Sequence, residues 1–341
     1  MVKNSTKGKL EELMKKEGVE PLIRDIDKDR MEFFVPLYED TEISGLVSAG
    51  APFLDSLSDD IKRNVVIELS DFVTKVATTI IYYITDKYHN VNLSEKQCVA
   101  NAFLQRATIY HKCNHKLTLE GIHSERDGYL LQLSDEYKTI PLTRSVYEHL
   151  AMFYYLFEFP KGYEKDIIWN SWLISSKKIL LKGPQQYKKE KEKAKKEIEL
   201  LKEEILSSDL GKECLANPKG NLNKFLRENI VFTIREKKEG YVCEKLSYDK
   251  AWVNLYGNRM DLHFLYPIIS MHSHPTYKGL LDFCNQSYQT IEFGLYLSCH
   301  SLAYLCRLYM KYENIDEKLI TGSFSKREQA IYDFLSNRLI L

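Results

Sequence analysis

Between positions 59 and 88 the apolar residues Val65, Val66, Leu69, Phe72, Val73, Val76, Ile80 and Ile84 follow one another at spacings of mostly three and four. That spacing lays a single stripe along one side of an α-helix, and a stripe so long must be covered by other helices. Ser58 and Asp59 are suited to cap its first turn. The same period returns along most of the chain. With 15 Gly and 9 Pro in 341 residues, tight turns are too scarce for an all-β architecture. The expected fold class is therefore all-α, a multi-helix bundle with a charged projecting helix or helical hairpin.

The further helices expected are 94–112, 141–159, 164–181, 248–256, 260–273, 286–312 and 326–339. Pro141 opens the second of these, where its missing N–H costs nothing, and Pro160 ends it. Its body, Leu150 to Phe157, is almost wholly apolar and reads as central. Asn114 to Lys138 reads as a polar segment, Asp209 to Asn223 as a loop, and Ile230 to Ile234 as one short strand. From Lys188 to Glu204 every residue is charged except Ala194, Ile198, Leu200 and Leu201. Opposite charges four apart, such as Glu192 and Lys196, support a helix exposed on most sides, with Ile198, Leu201 and Ile205 as a thin apolar seam. The expected organisation is an N-terminal helical arm over 1–45 and one helical domain over 46–341, from which 184–217 projects as a charged helix and loop.

Lys+Arg and Asp+Glu balance at 48 each, so no global basic field draws the chain to nucleic acid or an anionic membrane. The first residues are polar and do not read as a secretory signal. The apolar run Phe293 to Cys306 is shorter than the roughly 20 residues of a membrane span and reads as a buried core helix. Seven scattered cysteines with no Cys-x-x-Cys pair read as reduced, mostly buried thiols in a cytoplasmic protein, without a cysteine zinc site.

Phosphate loops, dinucleotide fingerprints, His-Glu-x-x-His and Gly-x-Ser-x-Gly are all absent. The most informative stretch is Thr143-Arg144-Ser145-Val146-Tyr147-Glu148-His149. Arg144 and Glu148 lie four apart on one helical face, in the less favourable order, and Arg144 sits in a first turn, where a cation opposes the helix dipole. A locally disfavoured residue there points to a tertiary role. His149 lies about 140° around the helix from Arg144 and about 7.5 Å along it, so the two can border one cleft without pairing.

Arg144-x4-His149 resembles the Arg-x(4–6)-His motif of the HEPN superfamily. Those are all-α proteins that include metal-independent ribonucleases of bacterial toxin and anti-phage systems. The resemblance covers six residues. It implies that His149 is a general acid/base and that Arg144 binds the scissile phosphate, with Glu148 beside them, in a cleft often formed between two protomers. It implies RNA and a second copy as partners, and no cofactor. Ser145 departs from the polar amide or acid frequent after the arginine in active members, which bears on activity more than on fold. The layout also resembles a group of uncharacterised bacterial helical proteins that pair an Arg-x3-Glu helix with a later Tyr-x3-Ser helix carrying His.

Here that later helix carries Tyr266, Ser270 and His274 at every fourth position, a supporting polar stripe if the helix runs unbroken past Pro267. His274 also suits a helix C-terminus on electrostatic grounds alone. His272, His274 and His263 or His300 carry a weaker metal reading, because positions two apart face different sides of a helix. Glu120-x-x-His123 has di-iron spacing but occurs once. The histidines at 89, 111, 115, 123 and 149 read as unrelated. Two function classes remain open: an RNA-cleaving or RNA-binding protein, and a non-catalytic helical interaction or sensing module with a protein partner. The first predicts these side chains lining an open, electropositive cleft or a dimer interface; the second predicts Arg144 buried against Glu148, His149 enclosed in the core and no open pocket.

Overall fold

The computed structural model describes residues 59–120, 122–126, 129–133, 139–160, 162, 164–182, 184, 187–228, 230–256, 265–273 and 290–336. The expected arm over 1–45 and the residue His274 lie outside them. The described chain is dominated by helices, as the periodicity predicts, with two antiparallel β-hairpins added. The described residues divide into two compact units, one formed by those up to Leu150 and from Trp252 onward, the other by those within Ala151–Ala251.

In the first unit the stripe of 59–88 becomes α1 (Asp59–Lys87). Its Val66, Leu69, Val73, Val76, Ala77 and Ile80 are buried. They face α10 (Thr290–Tyr312) and α2 (Glu95–Glu120), which also pack on each other. On α10 the residues Leu295, Leu297, Cys299, Leu302, Leu305, Cys306 and Tyr309 are all buried, on every side of the helix. Burial all round marks a central core helix. Among the described residues no helix is long and apolar enough to cross a membrane.

The other helices are α3 (Ile140–Phe153) and α8 (Tyr248–Tyr256), each running from one unit into the other, and α9 (Leu265–His272), α11 (Glu317–Thr321) and α12 (Lys326–Ser336). Helix α2 runs past Lys112 into the segment read as polar loop. Asn114 and Thr118 are buried there, and each makes a hydrogen bond: Asn114 Nδ2 donates to Thr143 Oγ1 at 2.9 Å, and Thr118 Oγ1 to the Asn114 carbonyl at 3.0 Å. Beyond it, β1 (Ile122–Arg126) pairs with β2 (Tyr129–Leu133). At the crossing of α3 and α10, Thr143 Oγ1 lies 2.8 Å from the Gly294 carbonyl, and a Cβ on Gly294 would sit 2.8 Å from Thr139 Oγ1. Only glycine permits that approach.

The second unit begins as α3 passes into a π-helical turn, Tyr154–Glu158. Then come α4 (Glu164–Leu181), α5 (Lys188–Ser207), α6 (Asp209–Ala216), α7 (Leu222–Arg227), β3 (Phe232–Lys237) and β4 (Gly240–Lys245). The charged helix α5 is one arm of an antiparallel hairpin with α4: Asn170 Nδ2 donates to Glu204 at 2.9 Å, and Lys177 meets Glu197 at 2.5 Å. Its seam residues Ile198 and Ile205 join Ile167, Ile174, Leu222, Leu226, Phe232 and Ile234 in one cluster. The stretch expected as loop over 209–223 holds the short helix α6 and the start of α7. Ser208 caps the first, its Oγ accepting from Gly211 N at 3.0 Å. The expected strand is β3, and it pairs with β4. At the end of α7, Lys178 Nζ donates to the Leu226, Arg227 and Glu228 carbonyls at 2.8, 3.0 and 3.0 Å, satisfying groups the helix leaves unpaired.

Candidate functional site

Helix α3 is anchored at its start by Ile140 and Thr143 and buries Val146, Tyr147 and Leu150. This turns Arg144 and Glu148 to a half-buried face. Arg144 Nε donates to Glu148 Oε1 at 2.6 Å. Tyr266, buried on α9, donates its hydroxyl to the same oxygen at 3.2 Å, and its ring lies 5.9 Å from the Arg144 guanidinium carbon. Tyr147 sets that ring in place from beneath, 5.4 Å away, and itself rests on Trp252 at 4.9 Å. Burial works against the Arg144 charge, but the hydrogen bond and charge of Glu148 outweigh it, and the guanidinium pKa is raised. Three of the sequence-predicted residues, Arg144, Glu148 and Tyr266, thus form one polar cluster. Ser270, one turn along α9 from Tyr266, is half-buried.

His149 turns away from Arg144. Its Nδ1 lies 2.7 Å from the Ser145 carbonyl in its own helix. A carbonyl can only accept, so Nδ1 carries the proton and Nε2 keeps the lone pair. The ring packs edge-on to Phe103 at 5.7 Å and Tyr110 at 5.4 Å, both on α2. Burial lowers its pKa, with the bond to Ser145 and the Glu148 charge acting in the opposite direction and the Arg106 charge adding to the fall. The imidazole is therefore held neutral, a state that accepts a proton.

A second polar line runs through the core between α1, α2 and α10. Ser298 Oγ lies 2.8 Å from His111 Nδ1, His111 Nε2 lies 2.9 Å from Ser70 Oγ, and Ser70 Oγ lies 2.8 Å from His115 Nδ1. His115 Nε2 then reaches Asp71 at 3.6 Å, at the exposed end of the line. His111 Nε2 also faces the Ser70 carbonyl at 3.4 Å, which assigns its proton to that nitrogen. One consistent set of donors follows: Ser298 to His111, His111 to Ser70, Ser70 to His115, His115 towards Asp71. His111 and His115 are thus joined, which corrects their reading as unrelated. The signal was present in their spacing of four on one helix. Ser70 and Ser298, on separate helices, carried none. Ser70 is fully buried, so this line orders the core and offers no nucleophile to a substrate.

The histidines of the metal reading divide. His263 and His274 lie outside the described residues, and His300 is buried with Nδ1 donating to the Leu335 carbonyl at 3.2 Å. Among the described residues no three His, Cys, Asp or Glu side chains are grouped to hold a metal ion. In comparisons with protein families, with curated proteins and with solved structures, nothing matches this chain.

Proposed function

We propose that this chain is a helical, metal-independent RNA-binding and RNA-cleaving protein of HEPN-like character, acting in bacterial defence or stress response. The observation that carries the reading is the state of His149. Its Nδ1–H is fixed on the Ser145 carbonyl and its pKa is depressed, which leaves Nε2 as a neutral base at ordinary pH. In the step this supports, Nε2 takes the proton of a ribose 2′-hydroxyl. The O2′–P bond forms, the P–O5′ bond breaks, and the imidazolium returns the proton to the leaving 5′ oxygen. The products are a 2′,3′-cyclic phosphate and a 5′-hydroxyl, and no further reactant is consumed.

A second reading, a non-catalytic helical interaction or sensing module, is supported by a different observation. Arg144 is closed on Glu148 and Tyr266, as a structural tie would be. The experiment that separates the two is cleavage of labelled single-stranded RNA in EDTA by wild type and His149→Ala, after circular dichroism shows both folded. Cutting by wild type alone, with no cutting of the 2′-deoxy oligonucleotide, supports the nuclease. RNA left intact by wild type removes it in favour of the interaction module.

A further inference from the structure

A nuclease of this kind needs a cation at the phosphate, and Arg144 is poorly placed to be it. Its charge is already met by Glu148 at 2.6 Å, and a cation paired to a carboxylate has lost much of its attraction for a second anion. A different arginine stands beside His149. Phe103, Arg106 and Tyr110 follow one another at three and four residues along α2, so they share one face, and that face meets His149. Arg106 is exposed. Its Nη2 donates to the Tyr110 hydroxyl at 2.9 Å, and its guanidinium carbon lies 5.8 Å from the Tyr110 ring centroid. The Arg106 charge is near enough to His149 to act on its ionisation. Among the described residues no carboxylate is paired with Arg106.

An arginine on a tyrosine four residues on is by itself ordinary surface packing. Here the donors and acceptors fit a larger purpose. The Tyr110 oxygen accepts from Arg106, which leaves its O–H to donate outward. Arg106 keeps further N–H groups in its fixed fork. The imidazole packed on Tyr110 keeps one lone pair, at Nε2. Two kinds of donor next to one acceptor match a phosphodiester next to a hydroxyl that must lose its proton. Resting on the RNA reading above, we propose that Arg106 and Tyr110, and not Arg144, clasp the phosphate on which His149 acts, so that the site is built from α2 and α3 together. Arg144 stays tied to Glu148, which also accepts from Tyr266.

The test compares Arg106→Gln, Arg106→Lys and Tyr110→Phe with wild type for cleavage of labelled single-stranded RNA in EDTA. Arg106→Gln is expected to lose about 10- to 100-fold, the loss of a charge-assisted contact, with Arg106→Lys recovering part of it. Arg106 is exposed, so its variants are expected to fold. Normal cleavage by Arg106→Gln overturns the clasp and leaves the nuclease standing. A second measurement does not depend on cleavage: the His149 ring nitrogens are followed by nuclear magnetic resonance as inorganic phosphate is added. Phosphate is expected to raise the His149 pKa in wild type and not in Arg106→Gln. If it does so while wild type leaves RNA intact, the oxyanion site stands and the RNA reading falls. If phosphate leaves His149 unmoved, the clasp is overturned.

Discussion

Lowering the pH is expected to destabilise the first unit well before its carboxylates titrate, through two buried histidines. His111 is enclosed between Ser70 and Ser298. His300 is packed edge-on to Tyr296 at 4.7 Å and Phe334 at 5.1 Å, and its Nε2 is buried without a hydrogen-bond partner. Burial pushes the pKa of His111 down to about 4 and that of His300 down to about 3, against the bonds each makes to a backbone carbonyl. In the unfolded chain both return to the ordinary value of about 6.5. The folded value is the lower one, so the unfolded state binds protons first. Stability is complete above pH 6.5 and falls as the pH drops from there towards the folded values. At pH 5 each unfolded imidazole is favoured about 30-fold by protonation, worth about 2 kcal/mol each and about 4 kcal/mol together. This figure rests on the unfolded pKa and holds as long as the folded values stay well below 5. Set against a domain stability of about 5–15 kcal/mol, it is a large fraction. Urea unfolding followed by circular dichroism at pH 7.5 and pH 5 checks it. With a denaturant slope of about 1–3 kcal/mol/M, the midpoint should fall by about 1.3–4 M. His111→Gln and His300→Gln should each remove about half of the pH dependence, whatever they do to stability at pH 7.5. A midpoint unchanged between the two pH values would refute the reasoning, because it would require both imidazoles to be as easily protonated folded as unfolded.

Gly294→Ala places a methyl 2.8 Å from Thr139 Oγ1 and 3.2 Å from Ile140 Cδ1, so α10 must move from α3; a loss of about 1–3 kcal/mol in urea unfolding is expected. Lys178→Met keeps the aliphatic stem but frees three carbonyls at the end of α7, and should cost about 1–2 kcal/mol, discounted for partial exposure, with native hydrogen exchange rising first around Leu226. Cys98 and Cys113 are exposed, whereas Cys214, Cys299 and Cys306 are buried with thiol pKa values raised by burial. Iodoacetamide followed by peptide mass spectrometry should therefore label Cys98 and Cys113 ahead of Cys214, Cys299 and Cys306. Equal labelling of Cys299 would contradict the burial of α10.

The helical character of the chain is legible in its sequence because the stripe of α1 and the all-round apolar α10 answer to a period set within one helix. Arg144 and Glu148 are legible as a pair for the same reason: four residues along a helix fix their neighbourhood. Where α2 ends is not legible, because Asn114 and Thr118 look like loop residues until Thr143 of α3 supplies a partner for one of them. The charged run of α5 shows its thin seam but not that α4 and β3 cover it. At the candidate site, sequence alone separates His149 from Arg144 by about 140° of helix. Which arginine stands beside the imidazole was decided by the packing of α2 on α3. In the same way Ser70, His111, His115 and Ser298 became one hydrogen-bonded line only when three helices met. Periodicity is a property of a single helix and survives in the sequence, whereas the pairing of polar groups between helices depends on rotation and register that only the tertiary structure sets.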